Sequence, residues 1–410
     1  MIKEGVDIRR NGLPALEICL VTQQLRNVFS GPGIYARNVL QHLVKDGHRV
    51  TVVSLGDEKL PELGGYKFHE VQHRLLLSNH ARWVELSISF NKALQALENH
   101  TYFDLIHFAD ARDAFFCKTK APRVGNINDT YPADLQPIAQ YFQNYHDWLA
   151  RWGYYWAVHQ LERIYLTGLD AIISNSNFTT QVISHAYPNT AKKVFTIYKS
   201  VDSQQFTKAL EIRKSANFCQ KPVILMVGSN LQRKGIRTII QAALEVLPKI
   251  PDCLFKIAGD DPAVPEFRIM CEQLNIADHI IFLGHQSRDQ LLELYSEAAV
   301  FILPAITESF GVVILEAMAS GVPVIGSNVG GIPEIIRDGI NGLMIPPNSP
   351  TELAQAIYLL LQNRDMQVQF AKSGIETAQQ FSIEKMMIET YQVYSHLLNK
   401  DIMLRKDQET

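Results

Sequence analysis

The run AVFILPAITESFGVVILEAMASGVPVIGSNVGGIPEIIRDGINGLMIPP, residues 299–347, alternates short apolar blocks with glycine and proline, a pattern that fits a layered α/β domain. Residues 300–303 form an apolar run stopped by Pro304, too short for a helix and of the length of a buried parallel strand. Residues 311–320 carry helix formers, with Gly321 as the stop and Pro323 beyond it, and 322–326 read as a second buried strand. Thr307, Glu308, Ser309, Phe310 and Gly311 lie between strand and helix. The unpaired backbone N–H groups of the helix start therefore open onto a polar loop, and such a start can seat a phosphate.

Two acids bracket that seat. Glu308 precedes the helix and Glu316 lies about five residues inside it, roughly 7 Å further along the axis at 1.5 Å per residue. A diphosphate held there would have one substituent near each acid, which is the shape of a nucleoside diphosphate sugar. Glu316 would accept from the ribose hydroxyls and Glu308 from hydroxyls of the transferred sugar. The plainer alternative makes Glu308 a complement to the positive helix end and Glu316 a solvated helix residue.

Glu308-Ser-Phe-Gly-Val-Val-Ile-Leu-Glu316 resembles the E-x7-E motif of the family 4 retaining glycosyltransferases. Ala298-Ala-Val-Phe-Ile-Leu-Pro304 is similar to that family's A-D-V-F-V-L-P, and Glu316-Ala-Met-Ala-Ser-Gly-Val-Pro-Val324 to its E-A-M-A-x-G-x-P-V. Gly330-Gly-Ile-Pro-Glu334 and Asp338-Gly-Ile-Asn-Gly-Leu343 stand where the family has G-G-x-P-E and D-G-x-N-G-L. The resemblance implies the GT-B architecture: α/β, two doubly wound Rossmann-like domains facing each other across a cleft. The boundaries expected are a tail over 1–15, an acceptor domain over 16–205, a nucleotide-sugar donor domain over 206–380 and a helix over 381–410 returning to the first domain.

At 410 residues the chain is long enough for two to three domains, and a formal charge of −3 gives no general pull toward nucleic acid. Five scattered cysteines without C-x-x-C pairs read as thiols in a reducing compartment. No apolar run has signal-peptide or membrane-span length, so a cytoplasmic protein is expected. Some of the glycosyltransferases it resembles glycosylate lipids, which leaves room for peripheral contact with the cytoplasmic face of the inner membrane.

In the first half, residues 16–22, 33–46 and 49–55 read as strand, helix and strand, one βαβ unit of a parallel sheet. The loop ahead of the helix contains Gly31-Pro-Gly-Ile-Tyr-Ala36, a G-x-G-x-x-A match, with Asp57 after the next strand where a ribose-binding acid would stand. That suggests a rival class, a nicotinamide-dependent oxidoreductase. Against it, eight residues, 23–30, separate strand from glycine, where the dinucleotide fingerprint needs a tight turn. The glycosyltransferase resemblance instead sets Gly31 and Gly33 beside the donor diphosphate.

Residues 104–108 and 123–128 read as strands whose ends bring His107, Asp110, Asn128 and Asp129 near one sheet edge. His107 is either a structural hydrogen-bonding residue or, with Asp129, a contact to the acceptor. Where the family often has His-Asp, its His reaching the transferred sugar, this chain has Asn128-Asp129, and an asparagine cannot carry a proton. Trp148, Trp152 and Trp156 recur every four residues on one helical face, read as core packing, with an acceptor platform or membrane foot as alternatives. Further strands are expected over 170–175 and 194–198, and Lys199-Ser-Val-Asp202 replaces the family's N-G-V-D.

Residues 203–221 are polar and weakly periodic, the mark of a linker, and 222–227 restart a strand. The following turn brings Arg233 and Lys234 to the positive end of a helix that starts near Gly235. Two cations there cost up to about 1 kcal/mol unless an anion joins them. They are either a solvated loop pair or a diphosphate site. The family's K-G appears as Lys234-Gly235, which implies Lys234 on the diphosphate, and Arg233 could replace the family arginine whose place Ser229 holds. Strands over 254–260 and 280–284 precede His285, where relatives place the donor base against backbone, and a helix over 291–299.

Leaving-group stabilisation thus falls to Lys234, Arg233 and the helix start, with Glu308 and Asn128 near the transferred sugar. Donor contacts extend to Ser309, Phe310, Gly311, Val312, Glu316 and His285. No D-x-D, H-E-x-x-H or Cys/His cluster occurs, so neither metal nor cofactor is expected. The partners are a nucleotide sugar and a glycan, lipid or small-molecule acceptor. Retention of configuration is compatible with a carboxylate nucleophile or with same-face attack assisted by the leaving phosphate. A degenerate relative that binds nucleotide or glycan without turnover is the non-enzymatic alternative.

Overall fold

The computed structural model describes residues 14–26, 31–56, 58–72, 82–129, 145–215 and 221–406, so Asp57 and most of the expected tail lie outside the described residues. The chain divides into two compact units, each assembled from more than one stretch of sequence.

In the first unit β1 (Glu17–Thr22), β2 (Arg49–Leu55), β3 (Tyr66–Val71), β4 (Leu105–Phe108), β5 (Arg123–Ile127), β6 (Ala171–Ser174) and β7 (Val194–Thr196) form a sheet. Among the described residues its order is β3-β2-β1-β4-β5-β6-β7, every pair parallel. Helices α1 (Gly31–Lys45), α2 (Arg82–Glu98), α3 (Tyr145–Gly168) and α4 (Asn177–Ala186) supply crossovers. Successive residues of β1 divide between two cores, as the two-residue repeat of a strand requires: Ile18 and Leu20 join Val39 and Leu40, while Cys19 and Val21 join Phe90 and Phe108. Both faces being covered, these strands read as apolar runs rather than alternating ones. Ser176 starts α4 by accepting from the Thr179 amide at 3.0 Å.

The second unit repeats the plan with β8 (Val223–Val227), β9 (Leu254–Ala258), β10 (Ile280–Gly284), β11 (Ala298–Leu303), β12 (Val324–Ser327) and β13 (Leu343–Ile345). Their order among the described residues is β10-β9-β8-β11-β12-β13, again parallel. The helices are α5 (Ser203–Ser215), α6 (Ile236–Val246), α7 (Val264–Gln273), α8 (Arg288–Glu297), α9 (Val312–Ala319), α10 (Pro350–Gln362) and α11 (Arg364–Gln379). In both sheets the chain runs outward from a central strand and then resumes on that strand's other side. The reversals fall between β1 and β4 and between β8 and β11, the positions where open α/β sheets bind ligands at the strands' carboxyl ends.

Three expectations need correction. Residues 203–215 form α5 rather than a linker, because Phe206 and Ala209 bury one face and Phe206 meets Tyr295 with ring centroids 5.7 Å apart. Gly31 and Gly33 occupy the first turn of α1 rather than a loop; Pro32 is tolerated there because first-turn amides have no intrahelical acceptor to lose. Trp156 is 52% exposed, so the aromatic stripe is not buried at that position, and the side chains of Trp148 and Trp152 lie outside the described residues.

The terminal helix α12 (Ile383–Lys406) belongs to the first unit, where Met386, Met387, Tyr391 and Tyr394 join the Ile18 and Leu20 core. Tyr391 donates to Asp46 at 2.7 Å. Tyr394 meets His107 Nδ1 at 2.5 Å, and the Tyr35 hydroxyl stands 3.3 Å from its Nε2. Fully buried between two phenols, His107 has its pKa pushed down to about 3 by desolvation. Of the two readings of His107 the structural one fits, since its ring faces the core. Among the described residues no helix is long and apolar enough to cross a membrane.

Candidate active site

The loop from β8 to α6 is shaped by backbone that only particular residues allow. Asn230 (φ 55°) and Gly235 (φ 83°) adopt left-handed conformations, and the Leu231 amide donates to Asp261 Oδ2 at 2.6 Å. At Gly235 a Cβ would stand 1.9 Å from the Pro304 carbonyl oxygen, and the Ile306 amide donates to the Arg233 carbonyl at 2.9 Å. The loop after β8 is thus pressed onto the loop after β11. Gly235→Ala should remove this docking and destabilise the protein by about 3 kcal/mol, as thermal unfolding would register.

The docking brings Lys234 to Glu308. Their side chains form a direct ion pair in which both residues are buried, at 8% and 7% exposure. The expected division, Lys234 on phosphate and Glu308 on sugar, is thus joined in one contact. An ammonium has three N–H donors and a carboxylate two oxygens, so each keeps capacity for a ligand. The Glu308 backbone is clamped from β12: its carbonyl accepts from the Gly331 amide at 3.0 Å, and a Cβ on Gly330 would lie 1.8 Å from that oxygen.

Gly311 (φ 99°) caps α9 without a side-chain acceptor at the helix's positive end, and its carbonyl accepts from the Ile314 amide at 2.9 Å. Ser309 is buried beside this turn. The Phe310 ring packs on Phe381, centroids 5.7 Å apart, so its side chain belongs to the core and only its backbone faces the loop. Arg233 is half-buried. The exposed His285 follows β10, its amide donating to Asp260 Oδ1 at 2.8 Å.

Glu316, at 5% exposure, is not a solvated helix residue. Its Oε1 accepts from Arg288 Nη1 at 2.7 Å and its Oε2 from the Tyr295 hydroxyl at 3.0 Å. Burial works against the Arg288 charge, but Glu316 holds the guanidinium above its ordinary range; burial and then Glu316 push the Tyr295 phenol well up. Arg288 also lies over the Phe206 ring, 4.3 Å from its centroid, and its Nε donates to Gln205 at 3.0 Å. Sequence reasoning found Glu316 but missed Arg288 and Tyr295. One signal was available: a basic residue opening a helix, behind a Ser287–Gln290 capping box, where acids are favoured.

In the first unit, Asn128 belongs to an amide network at the carboxyl ends of β4, β5 and β6. Its Nδ2 donates to the Ala109 carbonyl at 3.2 Å, its Oδ1 accepts from Asn126 at 3.0 Å, and its carbonyl accepts from Asn175 at 2.7 Å. Asp129 beside it is exposed. Asp110 is held by Arg112 at 2.5 Å. Asp113, also missed, is fully buried where β1 and β4 part, its Oδ1 accepting from Gln23 at 2.6 Å. Burial, then the neighbouring Asp110, push its pKa up to about 8. Among the described residues no group of three or more His, Cys, Asp or Glu side chains could hold a metal ion.

The family profile described as Glycosyl transferases group 1 matches residues 207–377, and that described as Glycosyltransferase Family 4 matches residues 29–205. The chain is similar to an uncharacterized glycosyltransferase of Methanocaldococcus jannaschii, 27% identical over 405 residues, 92% of this chain and 98% of that protein. It also matches about half the length of the alpha-D-kanosaminyltransferase of Streptomyces kanamyceticus, at 29% identity over 177 residues, 43% of this chain and 45% of that protein. Among solved structures it is similar to sucrose-phosphate synthase from Thermosynechococcus elongatus, with TM-score 0.77, 22% identity and coverage of 94% of this chain and 100% of that one. It is also similar to Anabaena HepE in complex with UDP-glucose, with TM-score 0.69, 18% identity and coverage of 93% and 99%. The G-x-G-x-x-A match over residues 31–36 falls inside α1, and these similarities give the oxidoreductase reading no support.

Proposed function

Because this chain belongs to the family 4 glycosyltransferases of the GT-B fold, we propose that it transfers a sugar from a nucleoside diphosphate sugar to an acceptor hydroxyl with retention of configuration and without a metal. The observation that carries the reading is the Lys234–Glu308 pair on the loops after β8 and β11, where the second sheet reverses beside the start of α9. As the glycosidic bond breaks, charge gathers on the leaving diphosphate. Lys234, Arg233 and the first-turn amides of α9 supply positive potential there before the reaction begins, so little reorganisation is needed. Glu308 orients hydroxyls of the transferred sugar, and Glu316 accepts from the ribose.

The acceptor is a glycan, lipid or small-molecule hydroxyl and the setting cytoplasmic, with contact at the inner membrane face. A nucleotide-binding relative without turnover is the second reading, favoured by Asn128, whose amide is engaged by Ala109 and Asn126 and cannot shuttle a proton.

A panel of UDP-, GDP- and ADP-linked hexoses, followed by NMR for hydrolysis and for the anomer released, tests both. The UDP-glucose held by the Anabaena protein is one reason to begin with uridine donors. One donor should be hydrolysed slowly with its configuration kept, and Glu316→Gln should raise its KM roughly 10-fold. Binding of a donor without hydrolysis or transfer would favour the second reading, and release of the opposite anomer would remove retention.

A further inference from the structure

We infer that Arg288 is the residue that makes Glu316 a reader of the donor's ribose, a positioning role that rests on the donor site proposed above. A carboxylate offers about four lone-pair sites, two on each oxygen. In Glu316 one site on each oxygen is taken, Oε1 by Arg288 at 2.7 Å and Oε2 by Tyr295 at 3.0 Å. One remains on each oxygen, and two parallel acceptors side by side match the two hydroxyls of a cis-diol. The plane that fixes this match is set mainly by Arg288, because a phenol can rotate about its C–O bond whereas a guanidinium is a rigid fork.

Arg288 is held more firmly than an ordinary surface arginine. It is the first residue of α8, where the helix dipole opposes a cation, yet it is secured from two other elements. The carboxylate comes from α9, and α5 contributes the Phe206 face at 4.3 Å and Gln205 at 3.0 Å. Stacking and the Nε bond fix the guanidinium plane, which fixes the carboxylate plane. The segment expected to be a linker therefore acts, through Arg288, on which nucleotide the site prefers.

The test is calorimetric binding of UDP, GDP and ADP and of their 2′-deoxy counterparts to the full chain. The wild type should prefer one ribonucleotide over its 2′-deoxy form by roughly 10- to 100-fold. Arg288→Met should cut that preference to about 3-fold or less while binding the deoxynucleotide within about 3-fold of the wild type; in turnover the loss should fall on donor KM, with kcat little changed. Phe206→Leu, which keeps the ion pair and removes the stack, should give an intermediate preference and serves if Arg288→Met does not fold. An unchanged preference in the folded variants, or equal weakening of both nucleotides, would make Arg288 a structural ion pair and overturn the inference. Failure of the wild type to bind any nucleotide would instead remove the donor site itself.

Discussion

Lys234→Met should lower turnover by roughly 100- to 1,000-fold, the range for losing a preorganised group that faces charge developing in a transition state. The same change should cost on the order of 3–5 kcal/mol of stability, because it leaves the Glu308 carboxylate buried without its counter-ion. The two effects can be separated. Glu308→Gln in the Lys234→Met background removes the stranded charge and should restore most of the lost stability, since an ion pair replaced as a unit is close to neutral. It should restore none of the turnover if Lys234 acts on the diphosphate. Thermal unfolding and nucleotide-release rates on the two single variants and the double variant form a complete cycle. A double variant that regained wild-type turnover would show that Lys234 serves only to neutralise Glu308.

Asp113→Asn should become steadily more stabilising as pH rises. Asp113 is fully buried, its Oδ2 has no hydrogen-bond partner among the described residues, and its pKa lies near 8 through burial and Asp110. The folded chain therefore holds a proton that the unfolded chain releases near the ordinary carboxylate value. Asp113 contributes most below that value; its contribution falls by about 1.4 kcal/mol per pH unit on the way to pH 8 and levels off above. Of the groups facing it, Gln23 and Arg112 favour the charged form and Asp110 opposes it. Asparagine has nothing to ionise, so the gap between variant and wild type should widen between about pH 4 and pH 8 and then hold. Denaturant midpoints at intervals across that range would measure it, and parallel curves would mean that Asp113 is ionised throughout.

The two predictions differ in how far sequence leads to them. Lys234, Glu308 and Gly311 could be singled out because each stands in a short motif beside an apolar run, Lys234-Gly235 after one and the stretch from Glu308 to Glu316 after another, although their meeting depends on β8 lying beside β11. Arg288 and Tyr295 could not, because only sheet order brings α8 beside α9. Residues 203–215 seemed formless for the same reason, since what makes α5 a helix is Phe206 finding Tyr295 across the fold. His107 was ambiguous because every position of β4 is buried, so the strand has no alternation to show which way a side chain points.

The first unit draws a wall of its core from a helix that lies beyond the second unit in sequence. Tyr391 and Tyr394 close over Ile18 and Leu20, and Tyr391 and Tyr394 reach Asp46 and His107 across 345 and 287 positions of sequence. A ribosome emits β1 well before the helix that shields it. Meanwhile the sheet of the second unit lies wholly between Lys199 and Ser382 and can form in a single pass. The half begun earliest is therefore completed latest, with an oily flank of its sheet bare through most of translation.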